Sequence, residues 1–214
     1  MYTVDRKKLA VTSAKLQRCI TDIEYWMSAN RLRLNMDKTE LLWTGTRYHV
    51  STLNDSSPSL QLNIVTVDAS QHVRVLGVHL SFDLSLDKHV SSVSAMCFHH
   101  LRQLRRIRRS LDADSAATLV HAFVTRRAST TAVLAAAPKT TTDRLQRVLN
   151  AAARVVSYIR KFDHGLSRLM HQELHWLDIR ERVSYKLSML THRCLFGKAP
   201  VYLSNCCIPV IQVC

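Results

Sequence analysis

LRLNMDKTELLW, residues 32–43, is the stretch on which the reading of the fold turns. Leu32 and Leu34 alternate with Arg31 and Arg33, the period of a half-buried strand. Asn35-Met36-Asp37 then supplies a tight polar turn, and a second apolar run, ELLW, follows at 40–43. The spacing predicts strand, turn, strand, with Lys38 held in the turn between Asp37 and Glu40. Sheet is therefore expected in the N-terminal part, and Lys38 becomes a candidate for chemistry if partners exist for it.

Outward from this stretch the pattern changes twice. Before it, residues 8–29 place Leu16, Ile20, Ile23 and Met27 on one helical stripe. After it comes a polar loop at 44–59, and then β-branched runs at 60–67 and 73–80 predict further strands. From Asp83 onward every periodic segment is helical. Val90, Val93, Cys97, Leu101 and Leu104 form a stripe whose helix opens near Asp83 or Ser85. Asp112 or Asp114 can cap a helix whose Ala116, Val120, Phe123 and Val124 share a face. Thr141 or Thr142 can cap the next, with Leu145, Val148, Leu149, Ala152, Val155 and Val156 inward. Asp178 with Glu181 has the form of a capping box ahead of Val183, Leu187, Leu190 and Cys194, and Gly197 supplies a C′ stop. The fold class expected is α+β: short antiparallel strands with one helix over 1–82, an all-helical region over 83–200, and an unassigned tail over 201–214.

A chain of 214 residues is long enough to bury a core, and only 4 Gly and 4 Pro argue against a loop-dominated fold. No apolar run approaches the roughly 20 residues that a bilayer span needs. The first residues lack the apolar centre of a signal peptide, so an intracellular protein, nuclear or cytoplasmic, with six cysteines as thiols is the expectation. The formal net charge of +14 favours polyanionic partners. That charge is concentrated. Residues 101–161 carry 13 basic against 3 acidic side chains, whereas 1–100 carry 11 against 9 and 162–214 carry 6 against 4.

Within the basic segment, Arg102, Arg105, Arg106 and Arg109 project from one side of their helix, roughly opposite its apolar stripe. Arg144, Arg147 and Arg154 do the same on the next strong helix. Arg108 falls near the apolar edge, which predicts that the first of these helices ends there. A guanidinium can grip a phosphate with two donors, so these seven arginines are the candidate nucleic-acid contacts, independent of base sequence. Solvated helix faces commonly carry charge too, but they usually mix the two signs.

Other chemistries find little support. There is no C-x-x-C, no Gly-rich phosphate loop and no G-x-S-x-G elbow. His171 and His175 are spaced i, i+4, but the glutamate between them, Glu173, is one place late for a zincin; polar surface histidines are the better reading, and no metal site is expected. Aromatic residues are sparse along the basic stripe, which disfavours a base-stacking platform. No two acidic residues are adjacent anywhere, so nothing supplies the paired carboxylates of a two-metal polymerase site.

The order of segments is nonetheless familiar. LQRC at 16–19, WMSAN at 26–30, LRLNMDKTELLW at 32–43, VRVLGV at 73–78, SLDKH at 85–89, LRQLRRIRRSLD at 101–112, LQRVLNAAARVV at 145–156, LHWLDI at 174–179 and GKAPVYL at 197–203 together resemble the C-terminal part of the reverse transcriptase of non-long-terminal-repeat, LINE-type, jockey-like retrotransposons. The resemblance covers about residues 14–207 and is specific as a combination. It implies that 1–82 is a remnant of the polymerase palm, with LN-x-x-KTE as the motif that closes it, Lys38 near the phosphates of the incoming nucleotide, and the strand pair around Leu76-Gly77-Val78 as the primer grip. The helices from about 84 onward would be the thumb, holding a template–primer of RNA and DNA.

The resemblance also implies what this stretch lacks. The family's Y-x-D-D box and its other metal-binding aspartate match nothing here, so Mg2+, the family's cofactor, has no ligands and Lys38 has no reaction to assist. The expectation is a truncated, inactive RNA-directed DNA polymerase fragment with residual template–primer binding, whose partners include RNA/DNA and the missing N-terminal polymerase half. Residues 126–132, RRASTTA, depart from the family's usual S-R-L-D-Y-C-N, and Arg180 stands where proline is usual. Two other readings stay open: a stand-alone basic helical module binding nucleic acid, and the non-functional translation of a degenerate element.

Overall fold

The structure, a computed structural model, describes residues 6–45, 59–62, 65–128, 134–160 and 163–207, with side chains from residue 11 onward. The chain divides into two compact units, Met1–Lys88 and His89–Cys214. Helices and two small antiparallel sheets make an α+β protein.

The first unit opens with a long helix, α1 (Arg6–Ala29). It ends in a Schellman closure: Arg31 takes φ 58° and the Leu32 N–H donates to the Met27 carbonyl at 2.8 Å. That closure consumes the residues expected to begin a strand. Residues 32–34 pair with nothing among the described residues, and Met36–Lys38 form a 3-10 turn instead. ELLW at 40–43 contributes a single parallel bridge, Leu41 to Ala69. The alternation was real but too short, between a helix cap and a turn, to recruit a ladder partner.

The sheets come later. β1 (Leu60–Leu62) pairs with β2 (Val65–Val67), and β3 (His72–Val75) pairs with β4 (Val78–Ser81). The runs at 60–67 and 73–80, each read from its pattern as a strand, therefore each hold two antiparallel strands, and for 73–80 this is the strand pair around Leu76-Gly77-Val78 that the resemblance implies. Leu76 and Gly77 turn it with φ 48° and 85°, the double positive φ of a type I′ connection. Leu60, Leu62, Leu41 and Val73 are buried, and α1 packs on β1. The expected inward stripe of α1 is only partly covered, with Leu16 and Ile23 exposed. The polar loop reading at 44–59 falls mostly outside the described residues.

The helical unit follows the sequence more closely. α2 (Asp87–Ile107) begins a few residues after Asp83, whose carboxylate instead accepts the Ser85 N–H in a local turn. Its stripe residues Val90, Cys97, Leu101 and Leu104 are buried. α3 (Ala113–Val120) is capped by Asp112, which accepts the Ser115 N–H. A π turn at His121–Thr125 then widens the helix and rotates its face, so Val124 and Thr125 are buried while Phe123 is left exposed, stacked on His100. α4 (Lys139–Val156) starts at its Pro138 cap, earlier than Thr141 or Thr142; both threonines are buried, and Thr142 Oγ1 bonds back to the Lys139 carbonyl. All six residues expected inward on α4 are buried.

α2, α3 and α4 share one core, with Cys97, Leu101, Val120, Val124, Val148 and Ala152 at its centre and Trp176 against its edge. Each fully buried aliphatic side chain contributes about 1.5–3 kcal/mol. α5 (Ile179–Leu195) begins with the expected Asp178/Glu181 capping box. A side chain of α4 assists it: Gln146 accepts the Ile179 N–H and donates to Asp178. Val183 and Cys194 are buried, but Leu187 and Leu190 are exposed, because α5 meets α4 near its start and α6 (Val201–Ser204) near its end. Gly197, at φ 65°, closes α5 as expected, with the Lys198 N–H on the Arg193 carbonyl. Residues 129–132 of the divergent RRASTTA segment and 208–214 of the tail lie outside the described residues.

Candidate nucleic-acid interface

The basic segment folds so that its arginines converge. Along α2, apolar spacing fixes which side turns inward, and Arg105 and Arg109 are left on the face nearest α4. Along α4 the same logic leaves Arg147 and Arg154. Between the two runs lies a groove of about 760 Å3, lined by Arg105, Arg108, Arg109, Arg147, Arg154 and Arg160 together with Phe98, Tyr158 and apolar residues of α4. Among the described residues, no acidic side chain lines it. Six like charges around one concavity repel each other unless an anion sits among them, and they focus a positive potential into it.

Four of the seven arginines nominated from sequence therefore meet in one place. Arg102 and Arg106 are exposed on α2 outside the groove lining, and Arg144 is turned aside, its guanidinium donating to Ser91 Oγ at 2.9 Å. Arg154 differs from the rest: its Nε is buried and has no hydrogen-bond partner. A buried donor left unmade costs about 1–3 kcal/mol, and an incoming acceptor would relieve it.

Arg108, Arg160 and Tyr158 line the groove without having been nominated from sequence. Arg108 ends α2, as its position at the apolar edge predicted, and then does more. Its Nε donates to the Val155 carbonyl at 2.8 Å, Nη2 to the Val156 carbonyl at 2.8 Å and Nη1 to the Leu111 carbonyl at 2.7 Å. Val155 and Val156 end α4, so their carbonyls have no partner inside the helix. One planar fork caps a neighbouring helix, and its charge matches the negative end of that helix's dipole. Tyr158, just past the same helix end, lies 5.6 Å from the Arg108 guanidinium carbon, measured to the ring centroid. Thus an aromatic ring does occupy the basic groove, and in sequence it stands between the groove arginines Arg154 and Arg160. The sequence signal that could have flagged it is its place two residues beyond the last α4 residue, at the groove end.

Lys38 sits exposed in its 3-10 turn. Of its acidic neighbours, Asp37 is exposed and Glu40 accepts the Arg74 backbone N–H at 3.3 Å. Elsewhere, His171, Asp178 and Glu181 bring one ligand atom each within 4.8 Å of one another. Of the i, i+4 histidine pair only His171 takes part; His175 does not. His171 lies in a π turn and His175 leaves it with φ 52°, so the two do not share a helix face. His171 Nε2 instead approaches Asp178 at 3.6 Å. Asp178 and Glu181 are already engaged: one accepts from Gln146, the other accepts the Asp178 N–H.

Titration behaviour follows burial. Desolvation pushes the Cys97 thiol up to about 11, against the opposing charge of Arg127. Burial also lowers Arg182, which its neighbour Asp178 partly offsets. The Ser115 hydroxyl, with nearby backbone N–H groups, holds the exposed Asp112 carboxyl below its ordinary 3.8.

Fold and groove together define an α+β protein whose helical unit presents a polycationic concavity, with no acidic side chain among its described lining residues. Comparison with known proteins narrows this. The chain is 23% identical over 185 residues to the Drosophila melanogaster protein described as "Probable RNA-directed DNA polymerase from transposon BS", a match covering 83% of this chain. The chain spans only 19% of that protein's length. The similarity supports a relationship to a transposon reverse transcriptase. No family model and no solved structure matches the chain. Among the described residues, no helix is long and apolar enough to cross a membrane.

Proposed function

We propose that this chain is the thumb, with adjoining palm residues, of a LINE-type retrotransposon reverse transcriptase, and that it holds the RNA/DNA template–primer by its phosphates without polymerising on its own. The arginine groove carries the reading: six guanidinium groups around one cavity, with no carboxylate among its described lining residues. Arginine suits the task because its fork can donate two hydrogen bonds to one phosphate at no sequence preference. The relationship to a transposon polymerase supplies a template–primer as the polyanion. Arg102, Arg106 and Arg144 serve as outer contacts along the same charged side.

Catalysis is excluded from the proposal on chemical grounds. Phosphoryl transfer needs metal ions to neutralise the charge that develops in the transition state, and the family's Y-x-D-D box, which would hold them, matches nothing in this sequence. Lys38 acts only if a palm bearing those carboxylates is joined to it. The exposed apolar side of α1, including Leu16, Ile23 and Trp26, is the surface such a polymerase segment would cover.

Fluorescence anisotropy with a labelled RNA–DNA hybrid tests the binding claim. Replacing Arg105, Arg109, Arg147 and Arg154 together by Ala should weaken binding by at least roughly tenfold at low salt. Replacing Arg102, Arg106 and Arg144 should weaken it less. Equal losses in the two variants, or no binding by the wild type in dilute buffer, would overturn the groove as the contact surface. Magnesium-dependent primer extension by the chain alone would overturn the inactive part.

A further inference from the structure

Tyr158 occupies a backbone position that tyrosine does not favour. α4 ends in a Schellman closure, with the Ile159 N–H on the Arg154 carbonyl at 3.2 Å and Tyr158 at φ 56° between them. The equivalent position after α5 is Gly197, the residue that such closures prefer because it has no Cβ to clash. Strained side chains of this kind persist where the surroundings hold them, and they gather at binding sites.

The ring is not there to fill a core. Tyr158 is 62% exposed. Beside the ring lies the Arg108 guanidinium, itself held by three carbonyl acceptors. Around the ring stand Arg105, Arg109, Arg147, Arg154 and Arg160. The result is an open aromatic platform backed by a fixed cation and surrounded by phosphate-binding groups, in a groove of about 760 Å3, within the size range of small-ligand pockets. A regular duplex would offer this groove phosphates alone, since its bases are stacked on each other. An unpaired nucleotide offers both a free base face and flanking phosphates, which is the combination that single-strand binders use.

Resting on the reading that the groove takes nucleic acid, we propose that Tyr158 is a base-stacking residue. The groove accepts an unpaired nucleotide, at a strand end, an overhang or a single-stranded stretch. Its base lies on the Tyr158 ring, its neighbouring phosphates lie among the arginines, and the unpartnered Nε of Arg154 takes one of the acceptor oxygens.

The test uses the full chain and two probes of one sequence carrying 2-aminopurine: a short single strand and the corresponding blunt RNA–DNA duplex. The wild type should change the 2-aminopurine fluorescence of the single strand on binding, a stacking signature that needs no variant. Tyr158→Gly removes the ring where glycine is the preferred residue, so the helix end is kept. It should lower single-strand affinity about tenfold and leave blunt-duplex affinity within about twofold, whereas Tyr158→Phe should retain single-strand affinity. If Tyr158→Gly changes both probes alike or neither, while Arg105→Ala/Arg147→Ala weakens both, the stacking role is overturned and the groove reading stands. If neither probe binds the wild type in dilute buffer, both fall.

Discussion

Replacing Arg108 puts the helical unit's main tie to a number. The guanidinium makes three hydrogen bonds of 2.7–2.8 Å to carbonyls, two of them at the end of α4. A bond to a charged group is worth about 1.5–3 kcal/mol, but this side chain is partly exposed and the three bonds share one fork, so simple addition overstates the total. The dipole contribution at the helix end adds about 0.3–1 kcal/mol, and the Tyr158 ring contact about 0.5–1 kcal/mol. Arg108→Met, which keeps the stem and deletes the fork, should therefore destabilise by about 3 kcal/mol. For a unit of this size that lowers Tm by roughly 6–12 °C, measured by circular dichroism and checked by urea midpoint at constant m. Arg108→Lys keeps the charge but offers no planar fork, and should recover less than half of the loss. A Met variant melting within about 2 °C of wild type, or a Lys variant indistinguishable from it, would refute the reasoning that the fork caps α4.

Other consequences follow from burial and capping. Leu149, fully buried on α4, should cost about 2–5 kcal/mol when replaced by Ala, read from the urea midpoint. Asp112 has a folded pKa below its ordinary 3.8, so its contribution is fully present above that value and is lost as pH falls through the lower, folded one. Asp112→Asn, still a good cap, should match wild type near pH 7 and lose less Tm between about pH 4 and pH 2. At pH 8, iodoacetamide should modify the exposed Cys19 and Cys206 in the native protein and spare Cys97, whose thiol is buried and pushed up to about 11; mass spectrometry after denaturation should then find Cys97 reactive.

What the sequence made legible was what a single helix can report about itself. The inward faces of α2 and α4 follow from apolar spacing, and their arginines are outward for the same reason. The capping box at Asp178 and the glycine stop at Gly197 are local signals and appear in place. Legibility failed where the outcome depends on a partner distant in the chain. Residues 32–34 alternate like a strand, yet the helix closure at Arg31 and the turn at Met36 leave no room for a ladder. Phe123 has core spacing on an α-helix, but a π turn rotates it outward. Arg108 reads as one more charge in LRRIRRS, because its acceptors, Val155 and Val156, lie 47 and 48 residues away. Tyr158 was illegible as a groove residue because it lies past the end of α4, where helical projection no longer says which way a side chain faces. Of the seven arginines nominated, helical projection could say which faced outward but not which faced each other.

Salt dependence of nucleic-acid binding tests the central claim most directly. Each phosphate neutralised contributes about −0.7 to −0.9 to the slope of log affinity against log salt. Six groove arginines, not all engaged at once, lead to a slope of about −3 to −5 for an RNA–DNA hybrid. Arg105→Ala/Arg147→Ala should make that slope shallower by about 1.5–2. A wild-type affinity that does not change with salt, or a double variant whose slope equals the wild type's, would contradict the account.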